Sequence, residues 1–335
     1  MFDHKTVLIT GGTGSFGQKF VEIVLAKYHP KKIIVFSRDE MKQYEMSQRV
    51  SHQDIRFFIG DIRDSERLHR AFDNVDIVVH AAALKIVPTA EYNPFEAVRT
   101  NIIGSQNVIN AAINKNVEKV IAISTDKAAS PTNLYGATKL CAEKIFFAAN
   151  KFHPDCTMFS VVRYGNVFGS RGSVIPFFQK CRSENAAIPI TDEKMTRFWI
   201  QLEQGVGFVI DCLGEMKGAE VFVPKLPSMR IVDLAKAIAP ECPIKIVGIR
   251  PGEKLHETLV TTDDRRYTIE KNDRFVMRPL LASFYPTAND EKALPENFEG
   301  YRSDNNDRWL SEEELKALIN QNFNAKDNNL RQTAY

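Results

Sequence analysis

The sequence predicts an α/β fold, a doubly wound parallel sheet with helices on both faces, followed by a smaller C-terminal lobe. Three observations carry this expectation: a series of short apolar runs, helical stretches of crossover length between them, and a glycine cluster directly after the first run. The runs, in order, are VLIT (7–10), KKIIVFS (31–37), IRFFIGD (55–61), VDIVVHAA (75–82), VEKVIAIS (117–124) and TMFSVVRYGN (157–166). Near-continuous apolar strands are those covered on both faces, as in a parallel sheet. Gln18–Tyr28 and Ala97–Asn114 have the length of crossover helices. After Asn166 the pattern loosens into Pro-containing, charged loops and short strands, GAEVFVP (218–224) and IKIVGI (244–249), assigned to the smaller lobe. Helical stretches Gln201–Met216 and Ile231–Ile238 are expected to pack back near the sheet, so that the lobes interleave. The expected division is 1–166 for the first domain with return segments around 196–217, 167–323 mainly for the second lobe, and 324–335 for a frayed polar tail.

A chain of 335 residues, 44% hydrophobic, can bury a sizeable core. Its 44 Lys+Arg and 42 Asp+Glu leave a formal charge of +2. No net field argues for nucleic acid or a membrane surface as partner, and a polyanionic ligand must be met by local chemistry. The cysteines, Cys141, Cys156, Cys181, Cys212 and Cys242, are odd in number and lack C-x-x-C spacing, which suits reduced thiols. Val7 to Thr10 lies too near the N-terminus for a secretory leader to precede it, and no run approaches the roughly 18 apolar residues of a spanning helix. A cytoplasmic protein is expected. His80 and His256 have no partner at ligand spacing, so no metal is expected.

Gly11-Gly12-Thr13-Gly14-Ser15-Phe16-Gly17 sits between the first strand and the first helix. There glycines allow a tight turn, close approach of a pyrophosphate to the helix N-terminus, and close helix–strand packing, the dinucleotide arrangement of a Rossmann fold. At the end of the second strand stand Ser37, Arg38 and Asp39, with Lys42 one turn later. Arg38 and Lys42 suit a ribose 2′-phosphate and favour NADP, whereas Asp39 keeps NAD as the alternative. Asp61 and Ile62 after the third strand, and Ala81 and Ala82 after the fourth, fall where adenine and nicotinamide-ribose contacts belong.

Ser124-Thr125-Asp126-Lys127 ends the fifth strand, at the edge where open α/β sheets bind ligands. Tyr135 and Lys139 follow, four apart and so on one helical face. An ammonium beside a phenol is expected to lower its pKa from about 10, fitting the phenol to take a proton from an alcohol while hydride leaves for nicotinamide.

The glycine motif and Tyr135-x-x-x-Lys139 resemble the extended short-chain dehydrogenases/reductases over nearly the whole chain. Sugar-nucleotide 4,6-dehydratases of that family carry Thr-Asp-Glu before the tyrosine. Thr125-Asp126-Lys127 departs from this and is similar to the inverting UDP-N-acetylglucosamine 4,6-dehydratases. AAALKIVP (81–88), Arg99-Thr100-Asn101, RYGNVFGSRGSVIPFF (163–178), ITDEKMTRFW (190–199) and RPGEKLHE (250–257) are similar to the same group. PKLPSMRI (224–231), SDNNDRWL (303–310) and the presence of Tyr135 resemble its pseudaminic acid branch, which serves flagellin glycosylation.

The resemblance implies NADP as cofactor, UDP-N-acetylglucosamine as substrate and a homo-oligomer, with a hexamer among the forms. It implies that Tyr135, backed by Lys139, deprotonates the C4 hydroxyl, that a neutral Lys127 removes the C5 proton, and that a protonated Asp126, beside Thr125, serves the departing C6 hydroxyl. Lys85, Thr100 and Asn101 are placed where cofactor and sugar meet. Arg250 and Glu253 are placed at the nucleotide end, and Asn166, Arg171, Val174 and Thr191 along the cleft. The alternatives are a UDP-sugar 4-epimerase, a C5-retaining dehydratase, and a non-catalytic module that keeps the fold.

Overall fold

The computed structural model describes residues 1–151, 156–169, 174–278 and 294–321. These form two compact units. The first comprises Met1–Tyr164, Leu202–Lys225 and Leu259–Gly300, and the second Gly165–Gln201, Leu226–Thr258 and the chain from Tyr301.

The first unit is built on a nine-stranded sheet. Its strands β1 (Thr6–Thr10), β2 (Lys32–Ser37), β3 (Ile55–Ile59), β4 (Ile77–His80), β5 (Lys119–Thr125) and β6 (Met158–Tyr164) run parallel in the spatial order β3-β2-β1-β4-β5-β6. Val7, Leu8, Ile9, Ile33, Val35, Val78, Val79, Val120, Ile121, Phe159 and Val162 are fully buried, as continuous apolar strands between two helical layers must be. The strand order reverses between β1 and β4, so the carboxyl ends of these strands frame the crevice where such sheets take ligands.

Val221–Pro224 continues the sheet, parallel to β6 and buried at all its positions. The segment 218–224, expected in the smaller lobe, is therefore a seventh parallel strand of the main sheet. Arg274–Met277 pairs antiparallel with it, and Thr268–Glu270 pairs antiparallel with Arg274–Met277. Helix Leu202–Glu215 packs on β5 and β6 as expected.

The helices between the strands are α1 (Ser15–Lys27), α2 (Glu40–Arg49), α3 (Ser65–Ala71), α4 (Val87–Tyr92), α5 (Pro94–Val98), α6 (Gly104–Asn114) and α7 (Leu134–Ala149). The single helix expected over 97–114 is broken by a π turn at Arg99–Ile103 between α5 and α6.

In the second unit Asn166–Val167, Thr196–Ile200 and Ser228–Arg230 form a small sheet, and Ile188–Ile190 pairs with Ile244–Ile246. Helix Ile231–Ile238, expected near the main sheet, instead buries Ile231, Leu234, Ala235 and Ile238 in this unit's own core with Phe178, Ile188, Trp199 and Met229. Its apolar stripe is satisfied locally by helix Val174–Ser183. The tail at 324–335 lies outside the described residues. Among them no helix is long and apolar enough to cross a membrane.

Candidate active site

β5 ends in Thr125, and a 3₁₀ turn over Asp126–Ala128 follows. One carboxylate oxygen of Asp126, Oδ1, accepts from Thr125 Oγ1 and from Lys127 Nζ, each at 3.0 Å. Asp126 is 1% exposed, and its Oδ2 is buried with no hydrogen-bond partner among the described residues. A buried carboxylate oxygen without a donor is costly to keep, and such atoms in a crevice mark a place for a ligand group.

α7 is pinned onto this turn. Asn133 caps it by accepting from Gly136 N at 2.8 Å, and Glu91 of α4 accepts from Leu134 N at 2.7 Å. A Cβ at Gly136 would stand 2.1 Å from the Lys127 carbonyl oxygen, so glycine is what lets helix and turn touch. The result places the Tyr135 phenol where Thr125 and the charge of Lys127 both favour its ionised form.

The expected lowering of the tyrosine pKa does not occur. Burial pushes the Tyr135 phenol up to about 12, and the nearby Asp126 charge adds to this against Lys127 and Thr125. The cation that opposes the rise is Lys127, where the sequence pointed to Lys139. Lys139 is 4% exposed, and burial pushes its ammonium down to about 8, against the charge of Glu143.

Glu143 belongs to a buried network that sequence reading missed. It accepts from Ser124 Oγ at 2.5 Å and from Arg163 Nε and NH2 at 3.1 and 2.6 Å. Arg163 NH1 donates to Leu259 O at 2.8 Å and lies 3.8 Å from Asp264, which accepts from the Tyr267 hydroxyl at 2.7 Å. The available signal was a glutamate four residues after Lys139, on the helical face that Tyr135 and Lys139 define.

The glycine loop meets the needs of a dinucleotide. Gly11 has φ +67°, and a Cβ there would come within 2.9 Å of the Ala82 backbone. A Cβ at Gly17 would reach 2.4 Å from Gly12 O. Gly14 is the N-cap of α1 without a side-chain cap, and Ser15 and Phe16 lead its first turn, which holds no acidic residue. The first amides of α1 thus face an anion without competition. Thr13 Oγ1 lies 2.8 Å from Ser37 Oγ, joining the ends of β1 and β2.

Arg38 is exposed, 3.5 Å from Asp61. Although burial pushes the Asp61 carboxyl up, hydrogen bonds from Arg63 and the charge of Arg38 hold it below its ordinary value. Asp39 caps α2, accepting from Lys42 N at 3.0 Å, and its carboxylate also pairs with the Lys42 ammonium. Ile62 is buried against Gly104. Ala81 and Ala82 follow β4 beside the glycine loop, Ala82 N donating to Thr10 Oγ1 at 3.2 Å.

Asn101, in the π turn, accepts from Leu84 N at 2.8 Å and donates to Leu84 O and Thr138 Oγ1 at 2.9 and 3.0 Å. Its amide is spent on tying the loop after β4 to α7. Thr100 is buried with no hydrogen-bond partner for its hydroxyl among the described residues. Lys85 is exposed as a side chain, while partial burial of its ammonium lowers its pKa. His80 is held by Thr10 at 2.8 Å and Ser105 at 3.1 Å, and no cluster of three or more His, Cys, Asp or Glu among the described residues could hold a metal.

In the second unit Glu253 Oε2 accepts from Arg250 N at 3.3 Å, and Arg197 NH2 lies 3.7 Å from Glu253 Oε1. Buried Arg197 also donates to Lys254 O at 2.9 Å and Leu255 O at 3.1 Å, fixing the segment that carries Arg250 and Glu253. Asn166 is cross-strand from Trp199, its Oδ1 buried without a partner among the described residues. Thr191 is buried, its hydroxyl directed to Met195 Sδ at 3.2 Å, and Val174 opens a helix. Arg171 lies outside the described residues.

Comparison with known proteins follows the same lines. Residues 7–279 match the family described as "Polysaccharide biosynthesis protein". A Campylobacter jejuni protein named UDP-N-acetylglucosamine 4,6-dehydratase (inverting) is 52% identical over 330 residues, 96% of this chain and 98% of its own. A Rickettsia canadensis protein named UDP-glucose 4-epimerase is 38% identical over 333 residues, 95% of this chain and 96% of its own. Among solved structures, Pen from Bacillus thuringiensis superposes with a TM-score of 0.88 at 41% identity, covering 96% of this chain and 99% of that one. The chain belongs to the polysaccharide biosynthesis protein family, within the extended short-chain dehydrogenases/reductases.

Proposed function

We propose that this chain is a UDP-N-acetylglucosamine 4,6-dehydratase that inverts C5. The observation that carries the reading is the Asp126–Lys127 pair, hydrogen-bonded at 3.0 Å beside Tyr135, with the second Asp126 oxygen buried and unpartnered. The relationship to the Campylobacter protein supports the substrate and the outcome at C5.

The Gly11–Gly17 cradle fits a dinucleotide, with Ser37, Arg38, Asp61, Ile62, Ala81 and Ala82 around it and Tyr135 and Lys139 at its reactive end. Arg38, exposed at the end of β2, supports NADP, and the engagement of Asp39 as the cap of α2 weighs against NAD. A nicotinamide held there would supply the chemistry of accepting hydride from C4 and giving it back at C6.

The chain's own residues supply the proton transfers. Tyr135 takes the C4 hydroxyl proton, and because burial raises its phenol, the Lys127 charge is what makes the phenolate accessible, with Lys139 behind it by resemblance. Lys127 and Asp126 then need to be amine and acid. Amine and acid carry the same net charge as ammonium and carboxylate, and the unpartnered Oδ2 is the Asp126 oxygen free to hold the acid's proton toward the substrate while Oδ1 stays bonded to Lys127. Lys127 takes the C5 proton, which the C4 ketone acidifies. Asp126 gives a proton to the C6 oxygen, which leaves as water, and a C5–C6 double bond forms. Once that double bond has been reduced at C6, a proton added to C5 on the face opposite the one it left would invert that centre.

Resemblance further supports Lys85, Thr100 and Asn101 near the sugar, Arg250 and Glu253 at the nucleotide, a cytoplasmic homo-oligomer, and a product destined for pseudaminic acid. The Rickettsia relative gives the second reading, a 4-epimerase, whose chemistry requires neither Asp126 nor Lys127. Proton NMR of UDP-N-acetylglucosamine turning over in deuterated water separates them. A new C6 methyl signal, deuterium at C5 and L-arabino couplings are expected. D-xylo couplings mean retention at C5, and C4 inversion without a methyl signal means an epimerase.

A further inference from the structure

Lys139 and Glu143 are one helical turn apart on α7, both at least nine-tenths buried. Glu143 is anchored from three sides: by Ser124 in β5, one residue before Thr125-Asp126-Lys127, and by two nitrogens of Arg163 in β6. Arg163 is in turn held by Leu259 O and by Asp264, about 100 residues further along the chain. A buried carboxylate that accepts three hydrogen bonds from β5 and β6 is held in place, so its charge acts on Lys139 from a fixed position.

We propose that Glu143 is a positioning residue for the C4 oxidation step, which holds Lys139 as an ammonium behind Tyr135, and that Arg163 and Asp264 set how strongly it does so. This rests on the roles given to Tyr135 and Lys139 above. The other titratable groups on elements packed around α7 are His80 in β4, Lys119 in β5, Asp126 and Lys127 after it, Arg163 and Tyr164 in β6, Glu91 and Tyr92 in α4, Glu96 in α5 and Arg99 in the π turn. His80 is neutral through burial, Asp126 and Lys127 pair with each other, and Glu91 binds the first amide of α7. Glu143 is the anion whose charge opposes the effect of burial on Lys139. Arg163 offsets part of that anion, and Asp264 offsets part of Arg163. Removing charge from either carboxylate therefore makes Lys139 lose its proton at lower pH.

The test is the pH profile of kcat/KM for 4-keto-6-deoxy sugar formation from UDP-N-acetylglucosamine by the full-length enzyme with NADP. Glu143→Gln keeps the shape and acceptor oxygen but not the charge. The alkaline limb is expected to move down by about one unit, so that activity falls about tenfold on that limb and within about twofold at pH 6. Glu143→Asp restores the charge and should return the limb toward the wild-type position. Asp264→Asn, further from Lys139, should move it in the same direction by a few tenths of a unit and serves if E143Q does not fold. A limb that does not move in E143Q, or in D264N where E143Q is unfolded, or a loss equal at every pH, overturns the proposal. A wild-type protein that forms no 4-keto-6-deoxy sugar refutes the dehydratase reading instead, and the two failures are told apart in one data set.

Discussion

At Asp126 one oxygen is hydrogen-bonded twice and the other not at all, and this asymmetry separates two tasks. Oδ1 holds Thr125 and Lys127, while Oδ2 is left to carry the acid's proton to the substrate. Lys127 then acts twice: it is the base for C5 and the cation that stabilises the Tyr135 phenolate. Lys127→Ala is therefore expected to abolish deuterium uptake at C5 and to slow C4 oxidation as well. Loss of a positioned acid–base group costs about 10²–10⁴ in rate. NADP binding, carried by the glycine loop and the end of β2, should stay within about twofold, as a fluorescence titration would show. C5 exchange at the wild-type rate in this variant would remove Lys127 from the mechanism. None of this asymmetry can be read from Thr125-Asp126-Lys127 as a string, because which oxygen is left unpartnered depends on how α7 closes over the turn.

That closure belongs to the elements, and it turns on one glycine. Gly136→Ala would drive a methyl group into the Lys127 carbonyl at 2.1 Å, backbone against backbone, where neither side can yield as a side chain does. Lifting α7 off the turn should lower stability by about 1–3 kcal/mol. Activity should fall further than stability, since Tyr135 moves with the helix. Gly207→Ala in helix Leu202–Glu215 is the control: a Cβ there meets nothing within 4 Å, and the gain in helix propensity should stabilise by up to about 1 kcal/mol. Equal melting temperatures for the two variants would contradict this account. Elements were legible in the sequence where they are local. Six strands, the glycine loop and the start of α7 announce themselves through continuous apolar runs and short motifs. Val221–Pro224 was legible as a strand but not as part of the main sheet, because joining β6 depends on pairing across the whole Gly165–Gln201 segment of the second unit and helix Leu202–Glu215. The π turn was hidden because Thr100 and Asn101 look helical until the Asn101 amide reaches for Leu84. Ser124, Glu143, Arg163 and Asp264 meet through the fold alone.

Over the whole molecule, the chain passes repeatedly between the two units, so the large sheet is complete only after residue 277 has been added. Interior groups far apart in sequence are thereby committed together, and their titration is tied to folding. His80 shows the consequence. It accepts from Thr10, whose own oxygen takes the Ala82 amide, and it donates to Ser105, whose hydroxyl is given to Asn101 O. The ring is thus fixed as the neutral tautomer with its proton on Nε2. Burial first, and the Lys139 charge second, push its pKa down to about 3 from an ordinary 6.5. Between those values the unfolded chain takes up a proton that the folded protein refuses, so stability is full above pH 6.5 and is lost as the pH falls. The slope approaches about 1.4 kcal/mol per pH unit for one such group. His256, also lowered through burial, adds in the same sense. Urea midpoints taken between pH 6 and pH 5, above the range of ordinary carboxylates, should therefore fall with pH in the wild type. His80→Asn, which keeps an acceptor and a donor without a titrating ring, should fall less steeply over the same interval. The same slope in both proteins would mean that His80 is protonated inside the fold, and the assigned direction of the Thr10 and Ser105 hydrogen bonds would have to be reversed with it.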